Sequence, residues 1–286
     1  MFKKRFLLKF LSIQLIGINI FHISNLKAFI PYYSLPSKNF LKNNGSELAK
    51  NAYQLLYFGQ LKEGLALAKL AVSLNPVDEK LWALLAEAQL NNKLIEEALY
   101  SIKKGKLLNP SISELYFAES SIYLNQKEIQ KAKKSLKQGL ELQPTNTNAL
   151  FQFGNILLIE KKYQKALYQY NKIINLKSNF WQAINNKGLI HFELNEILLA
   201  IDNFKKAIKI EKNAEPLLAL AAALQETNKK ESILLAKQAL QENPNYVSFD
   251  YREEQLWGKK LQEATKKLFK LKELQEDISN ANFYKI

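Results

Sequence analysis

Residues 74–76 read Leu-Asn-Pro, residues 108–110 read Leu-Asn-Pro again, and residues 142–144 read Leu-Gln-Pro. The prolines Pro76, Pro110 and Pro144 are 34 residues apart. A breaker that returns at a fixed distance marks a chain built from stacked supersecondary units, each too small to bury its own apolar face. Proline lacks a backbone N–H and clashes with the preceding turn, so each one stops a helix.

The same ruler finds small residues. Twelve positions before the proline phase stand Gly64, Ala98, Ala132, Ala166 and Ala200; five before it, Ala71, Gly105, Gly139, Ile173 and Ala207; twenty-four before it, Ala52, Ala86, Ser120, Gly154 and Gly188. Five of the nine glycines lie on these ladders. Glycine inside a helix costs ~1 kcal/mol relative to alanine, so its repeated use implies a close approach by a neighbour. The pattern predicts two antiparallel helices per unit, joined by a polar turn (GQLKEG, NNKLIEE, NQKEIQ, EKKYQ, NEILL). Leu48, Trp82, Tyr116, Leu150 and Ile184 fill the spaces between them. Ser178 and Lys212 replace the proline in later units, and Pro244 follows Lys212 by 32 residues, which shortens the sixth unit by about two.

On these residues the chain resembles the tetratricopeptide repeat (TPR) family. The resemblance implies an all-α right-handed solenoid. The spans are about six units over 45–244 (45–78, 79–112, 113–146, 147–180, 181–212 and 213–244), followed by a C-terminal amphipathic capping helix within 245–286. The cap rests on the spacing of Leu256, Trp257, Leu261, Ala264, Leu268, Leu271 and Leu274. Repeat arrays need such end pieces; docking of a partner or of a membrane surface through the lysines of this stretch is the alternative. Residues 29–44, with Pro31 and Pro36, read as a linker.

The first 28 residues hold no acidic residue. Lys3, Lys4 and Arg5 precede the apolar stretch FLSIQLIGINIF, the layout of an export signal. Ala28 offers a poor cleavage site, so an uncleaved anchor through residues 6–23 stays open, as does a mere tail. That span holds Lys9, Gln14, Asn19 and His22, against the ~20 apolar residues of a spanning helix. The expectation is an exported or membrane-associated protein of the periplasm or thylakoid, with a cytoplasmic location as the alternative.

A net charge of +14 raises the question of phosphate binding. Of the 41 cations, however, only Arg5 and Arg252 are arginine. Nucleic-acid recognition leans on the planar arginine fork. The charge therefore reads as a solvated lysine surface, with no nucleic-acid partner. Cysteine is absent, which excludes disulfides, thiolate metal sites and cysteine nucleophiles. No HExxH motif, glycine-rich phosphate loop or GxSxG elbow occurs. His191 falls at a position that packs between helices. The reading is a non-enzymatic chain without cofactor, metal or small-molecule substrate.

In TPR proteins the first helix of each unit lines a concave groove that holds a peptide or a partner helix. By phase, the resemblance places Tyr53, Tyr57, Phe117, Ser121, Phe151, Gln152, Asn155, Asn185, Asn186 and Leu189 in that groove. Amides can pair with any extended backbone, and aromatics offer rigid apolar contact. The family's clamp for chaperone carboxylates is absent: Asn155 and Asn186 match its asparagines, but Phe151, Glu215 and Ala219 stand where it carries basic residues. The Lys/Asn/Ile bias and the stretch FWQAINNKGLIHFE look like TPR proteins of marine cyanobacteria. Cyanobacterial and chloroplast members include photosystem I assembly factors. The resemblance implies a scaffold for a protein or peptide partner that aids assembly of a membrane complex.

Overall fold

The computed structural model describes residues 36–284, and its helical body begins at Lys38. Six helix-turn-helix pairs follow in order. They are α1 Lys38–Tyr57 with α2 Leu61–Leu74, α3 Glu79–Asn91 with α4 Ile95–Leu108, and α5 Ser113–Asn125 with α6 Ile129–Leu142. Then come α7 Thr147–Ile159 with α8 Tyr163–Leu176, α9 Trp181–Glu193 with α10 Ile197–Ile210, and α11 Ala214–Leu224 with α12 Lys229–Glu242. Each helix packs on its own partner and on the next unit, so the core is a chain of apolar clusters along a solenoid. No strand occurs among the described residues.

The small-residue ladders work by matching size across each pair. A Cβ on Gly154 would stand 2.6 Å from the Tyr170 ring, and one on Gly188 would stand 2.5 Å from Phe204. Where the first helix instead carries Ala52, Ala86 or Ser120, the second has Ala68, Ile102 or Leu136 at the position of those rings. The missing methyl makes room for a buried aromatic.

The Leu-Asn-Pro motif ends each second helix with extended backbone. Asn75, Asn109 and Gln143 have φ of −141°, −145° and −130°, as expected before proline. Lys177 and Glu211 take φ of −144° without a following proline, so packing alone suffices there. Trp82 Nε1 donates to the Pro76 carbonyl at 2.8 Å, and Tyr116 Oη donates to that of Pro110 at 2.9 Å. The sixth unit is short mainly in α11, which has 11 residues where α3, α5, α7 and α9 have 13; the connection before it is one residue shorter and the turn after it one longer.

Two expectations are corrected. The linker over 29–44 is shorter, because α1 already includes 38–44. Leu41, Gly45, Leu48 and Ala52 continue one helical face, with Gly45 pressed near the Ala71 carbonyl, so the helix starts soon after Pro36 rather than at 45. The single capping helix is in fact broken. A 3-10 turn at Pro244–Val247 leads to α13 Phe249–Glu254, α14 Lys259–Leu268, a 3-10 turn at Lys272–Leu274 and α15 Gln275–Tyr284. The apolar period runs through the break at Leu256–Gly258, but tertiary contacts override it. Leu256 turns to φ +67°, Trp257 is drawn inward, and Glu193 of α9 takes over the backbone N–H groups of Lys260 and Leu261 at 3.3 and 3.1 Å. No helix among the described residues is long and apolar enough to cross a membrane. The signal or anchor expected over 1–28, and membrane contact through 6–23, lie outside the described residues.

Candidate functional site

The odd-numbered helices α1 to α11 present one face as columns with the 34-residue spacing. One column runs Ala49, Ala83, Phe117, Phe151, Asn185, Ala219; the next, Lys50, Leu84, Ala118, Gln152, Asn186, Leu220. A third runs Tyr53, Glu87, Ser121, Asn155, Leu189 and a fourth Tyr57, Asn91, Asn125, Ile159, Glu193. Exposure changes along the array. Tyr53 and Tyr57 are 57% and 77% exposed, whereas Asn185, Asn186 and Leu189 are 0%, 6% and 1% exposed.

The difference has a physical cause. The C-terminal segment folds back, and α14 lies across α9 and α11. Leu261 and Leu268 of α14 are fully buried in a cluster with Leu189, Leu217 and Leu218. Glu193 caps the first turn of α14 through the two N–H groups named above, which favours its carboxylate at a helix N-terminus. Units five and six therefore already hold an amphipathic helix, contributed by the same chain.

This corrects the expectation for three site residues. Asn185, Asn186 and Leu189 do not meet incoming ligand, because the face they occupy is covered. The amides instead join a buried polar network. Tyr170 Oη donates to Asn155 Oδ1 at 2.7 Å, Asn186 Nδ2 donates to the same oxygen at 3.0 Å, and Asn185 Nδ2 reaches Asn186 Oδ1 at 3.4 Å. Beyond them lies Glu215 of α11, which accepts from Trp257 Nε1 at 3.3 Å. Burial pushes the Glu215 carboxyl up to about 7, against the lowering effect of Trp257, Asn185 and Tyr246. Burial also raises the Tyr170 and Tyr246 phenols above their ordinary value.

The remaining site residues stay on the accessible stretch. Phe117 is half-buried, its ring lying over Gly139. Phe151 is half-buried, with ring centroids 6.0 Å from Tyr170 and 5.3 Å from Phe180. Ser121 turns its hydroxyl to the Phe117 carbonyl at 3.1 Å, and Gln152 is half-buried. His191 pairs with Glu196 across the α9–α10 turn at 2.5 Å. The positions that would carry a carboxylate clamp, Glu215 and Ala219, are under the cap.

Sequence reasoning missed Arg252. It is 3% exposed, and its guanidinium donates only to neutral carbonyls: Gln262 Oε1 at 2.9 Å, Tyr246 O at 2.5 Å and Val247 O at 3.0 Å. The signal was its rarity, an isolated arginine among lysines.

Comparison with known proteins agrees with this architecture. A tetratricopeptide repeat family model matches residues 113–146 and 182–213. No curated protein matches the chain. Among solved structures, PilF of Pseudomonas aeruginosa aligns with TM-score 0.64 and 16% identity over 75% of this chain and 98% of its own. PilW, a type IV pilus biogenesis factor, aligns with TM-score 0.60 and 15% identity over 74% and 98%. YrrB, described as a TPR protein with an unusual peptide-binding site, aligns with TM-score 0.50 and 19% identity over 61% and 94%. At these identities the likeness establishes the fold, a TPR-like α-solenoid.

Proposed function

We propose that this protein is a non-enzymatic scaffold that holds a segment of a protein partner on the open concave face of α1, α3, α5 and α7. The observation that carries this reading is the contrast along one surface. On α9 and α11 the face holds an amphipathic helix, while on the earlier units the same columns are open and begin with the exposed rings of Tyr53 and Tyr57. Large exposed aromatics at low side-chain entropy cost are the usual anchors of a protein interface. The open part of the face is made by Tyr53, Tyr57, Phe117, Ser121, Phe151, Gln152 and Asn155.

The partner belongs to a membrane complex, photosynthetic or other, whose assembly the scaffold aids; the basic, apolar N-terminal stretch supports export or membrane attachment. The test is co-purification from mildly solubilised cells with a C-terminal tag, comparing the native chain with Tyr53→Ala/Tyr57→Ala. Membrane-complex subunits should accompany the native chain and fall by about tenfold with the double variant, as for interface anchors of about 1.4 kcal/mol or more. Equal recovery with both chains means that the surface is wrong. The mature N-terminus, read in the same run, separates cleavage after Ala28 from an anchor retaining Met1. Met1 intact and full recovery in the cytosol would favour a cytoplasmic adaptor.

A further inference from the structure

Where the open groove meets the C-terminal segment, a cleft of about 970 Å³ lies between the end of α7, the start of α8, α9, and the segment from Val247 to Lys270. Its apolar lining includes Leu158, Ile159, Leu189, Leu256, Trp257 and Phe269. Ile159 belongs to the same column as Tyr57, Asn91 and Asn125, so the cleft continues the open face rather than standing apart from it. Leu158, Leu189 and Trp257 are part of the core behind the cleft, but Ile159 and Phe249 in its wall are 49% and 54% exposed.

Its charge is unbalanced. Arg252 lines the cleft, is buried, and is paired with no carboxylate among the described residues; its three acceptors are neutral. The guanidinium also lies over the Trp257 and Phe269 rings, 6.0 and 5.3 Å from their centroids, so its charge is held by carbonyls and ring faces in a poorly solvated place. Burial lowers the Arg252 guanidinium to about 10, which still leaves it charged at neutral pH. Four lysines also line the cleft: Lys161, Lys259, Lys266 and Lys270. Against these five cations the lining has Glu193, Glu253 and Glu263, and Glu193 is already engaged at the start of α14. The field in the cleft is therefore positive over an apolar floor.

We propose that this cleft binds an acidic, apolar-anchored segment of a partner polypeptide, with Arg252 as its central positive charge and Lys161, Lys259, Lys266 and Lys270 as its rim. The proposal rests on the groove reading only in that it places one end of the partner segment. Aliphatic or aromatic side chains lie on Ile159, Phe249, Leu256 and Phe269, and neighbouring carboxylates meet the cations. Lysine rims steer and select by charge, while the buried arginine sets the position of the carboxylate.

The test uses the full chain and two short fluorescein-labelled peptides, one of Glu, Leu, Phe and Ser, the other with every Glu replaced by Lys. Fluorescence anisotropy should show binding of the Glu peptide alone, weakening as salt rises. Lys259→Glu/Lys266→Glu/Lys270→Glu, all at exposed positions, should weaken it by about tenfold or more with the helical signal unchanged. Arg252→Gln should weaken it further; if that chain does not fold, the rim variant still decides. Tyr53→Ala/Tyr57→Ala should leave this peptide's affinity within twofold. Equal binding of both peptides, or an affinity indifferent to rim reversal, overturns the proposal even if the Tyr53 and Tyr57 result stands. Rim-dependent binding of dodecanoate without any of the Glu peptide overturns it too, by assigning the cleft to a small amphiphile.

Discussion

Asn185 stands in the middle of a helix, where its short amide competes with the backbone and gains nothing from propensity. In the fold it is fully buried, and its Oδ1 finds no donor among the described residues. The neighbouring Glu215 is half-buried, with no cation paired to it among the described residues; the groups facing it are Asn185, the Trp257 indole and the Tyr246 phenol, with Tyr170 close enough to feel its charge. A carboxyl in such a place prefers its proton. Its folded pKa is about 7, above the ordinary value of 4.5. Below pH 4.5 both folded and unfolded chains hold the proton, and Glu215 costs nothing. Between 4.5 and about 7 the unfolded chain releases it while the folded chain keeps it, so stability falls as pH rises. Above about 7 the loss is complete. Glu215→Gln removes the titration while keeping an acceptor for the Asn185 and Trp257 N–H groups. It should raise stability at pH 8 by about 2 kcal/mol, and by little at pH 4.5. Urea denaturation at the two pH values measures this; a variant less stable than the native chain at pH 8 would show that the carboxylate is needed charged.

At the scale of the element, the repeat also recurs in the backbone. Gly59, Lys93, Lys127, Lys161 and Asn195, again 34 apart, all take positive φ, at 76°, 61°, 60°, 56° and 67°. They close the first helix of each of five units with the same paired bonds. The residue after each donates back to Leu55, Gln89, Tyr123, Leu157 and His191 at 2.8–2.9 Å, the six-to-one bond of a Schellman cap. Only unit one uses glycine, the residue for which this conformation carries no penalty. Lys93→Gly and Lys127→Gly should each stabilise the fold by about 1 kcal/mol, the steric cost relieved. Thermal denaturation of single and double variants tests this, and the two effects should add because the turns are in different units. The 34-residue period, the helix pairs and the stopping prolines were all legible in the sequence, because each is a local device repeated in register. The broken cap and the covered amides were not. Periodicity tells which face of a helix is apolar or polar, but not what lies over it. For Leu189 that cover includes Leu261 and Leu268, more than 70 positions later in the chain.

The whole array is a nearest-neighbour structure, so its ends are its weak places. At the C-terminal end the chain supplies its own closure. Trp257, Leu261, Leu268 and Leu274 are at most 4% exposed and join one cluster with Leu189, Leu217, Leu218 and Tyr246. Four large side chains at 1.5–3 kcal/mol each give roughly 6–12 kcal/mol of burial as an upper estimate, comparable to the stability of an ordinary domain. Without them, α11 is left with an apolar face: every residue of that helix but Glu215 is apolar, and all ten others are buried. A chain ending at Pro244 should therefore lose order from its end inward rather than everywhere. Amide hydrogen exchange should show α9 to α12 losing protection, while α1 to α6, which do not pack extensively on the C-terminal segment, keep theirs. Adding residues 245–286 back as a separate peptide should restore that protection if the segment docks as a unit. Loss of protection spread evenly over all six pairs would mean instead that the solenoid folds as one cooperative block, with the cap contributing to the stability of the first unit as much as to that of the last.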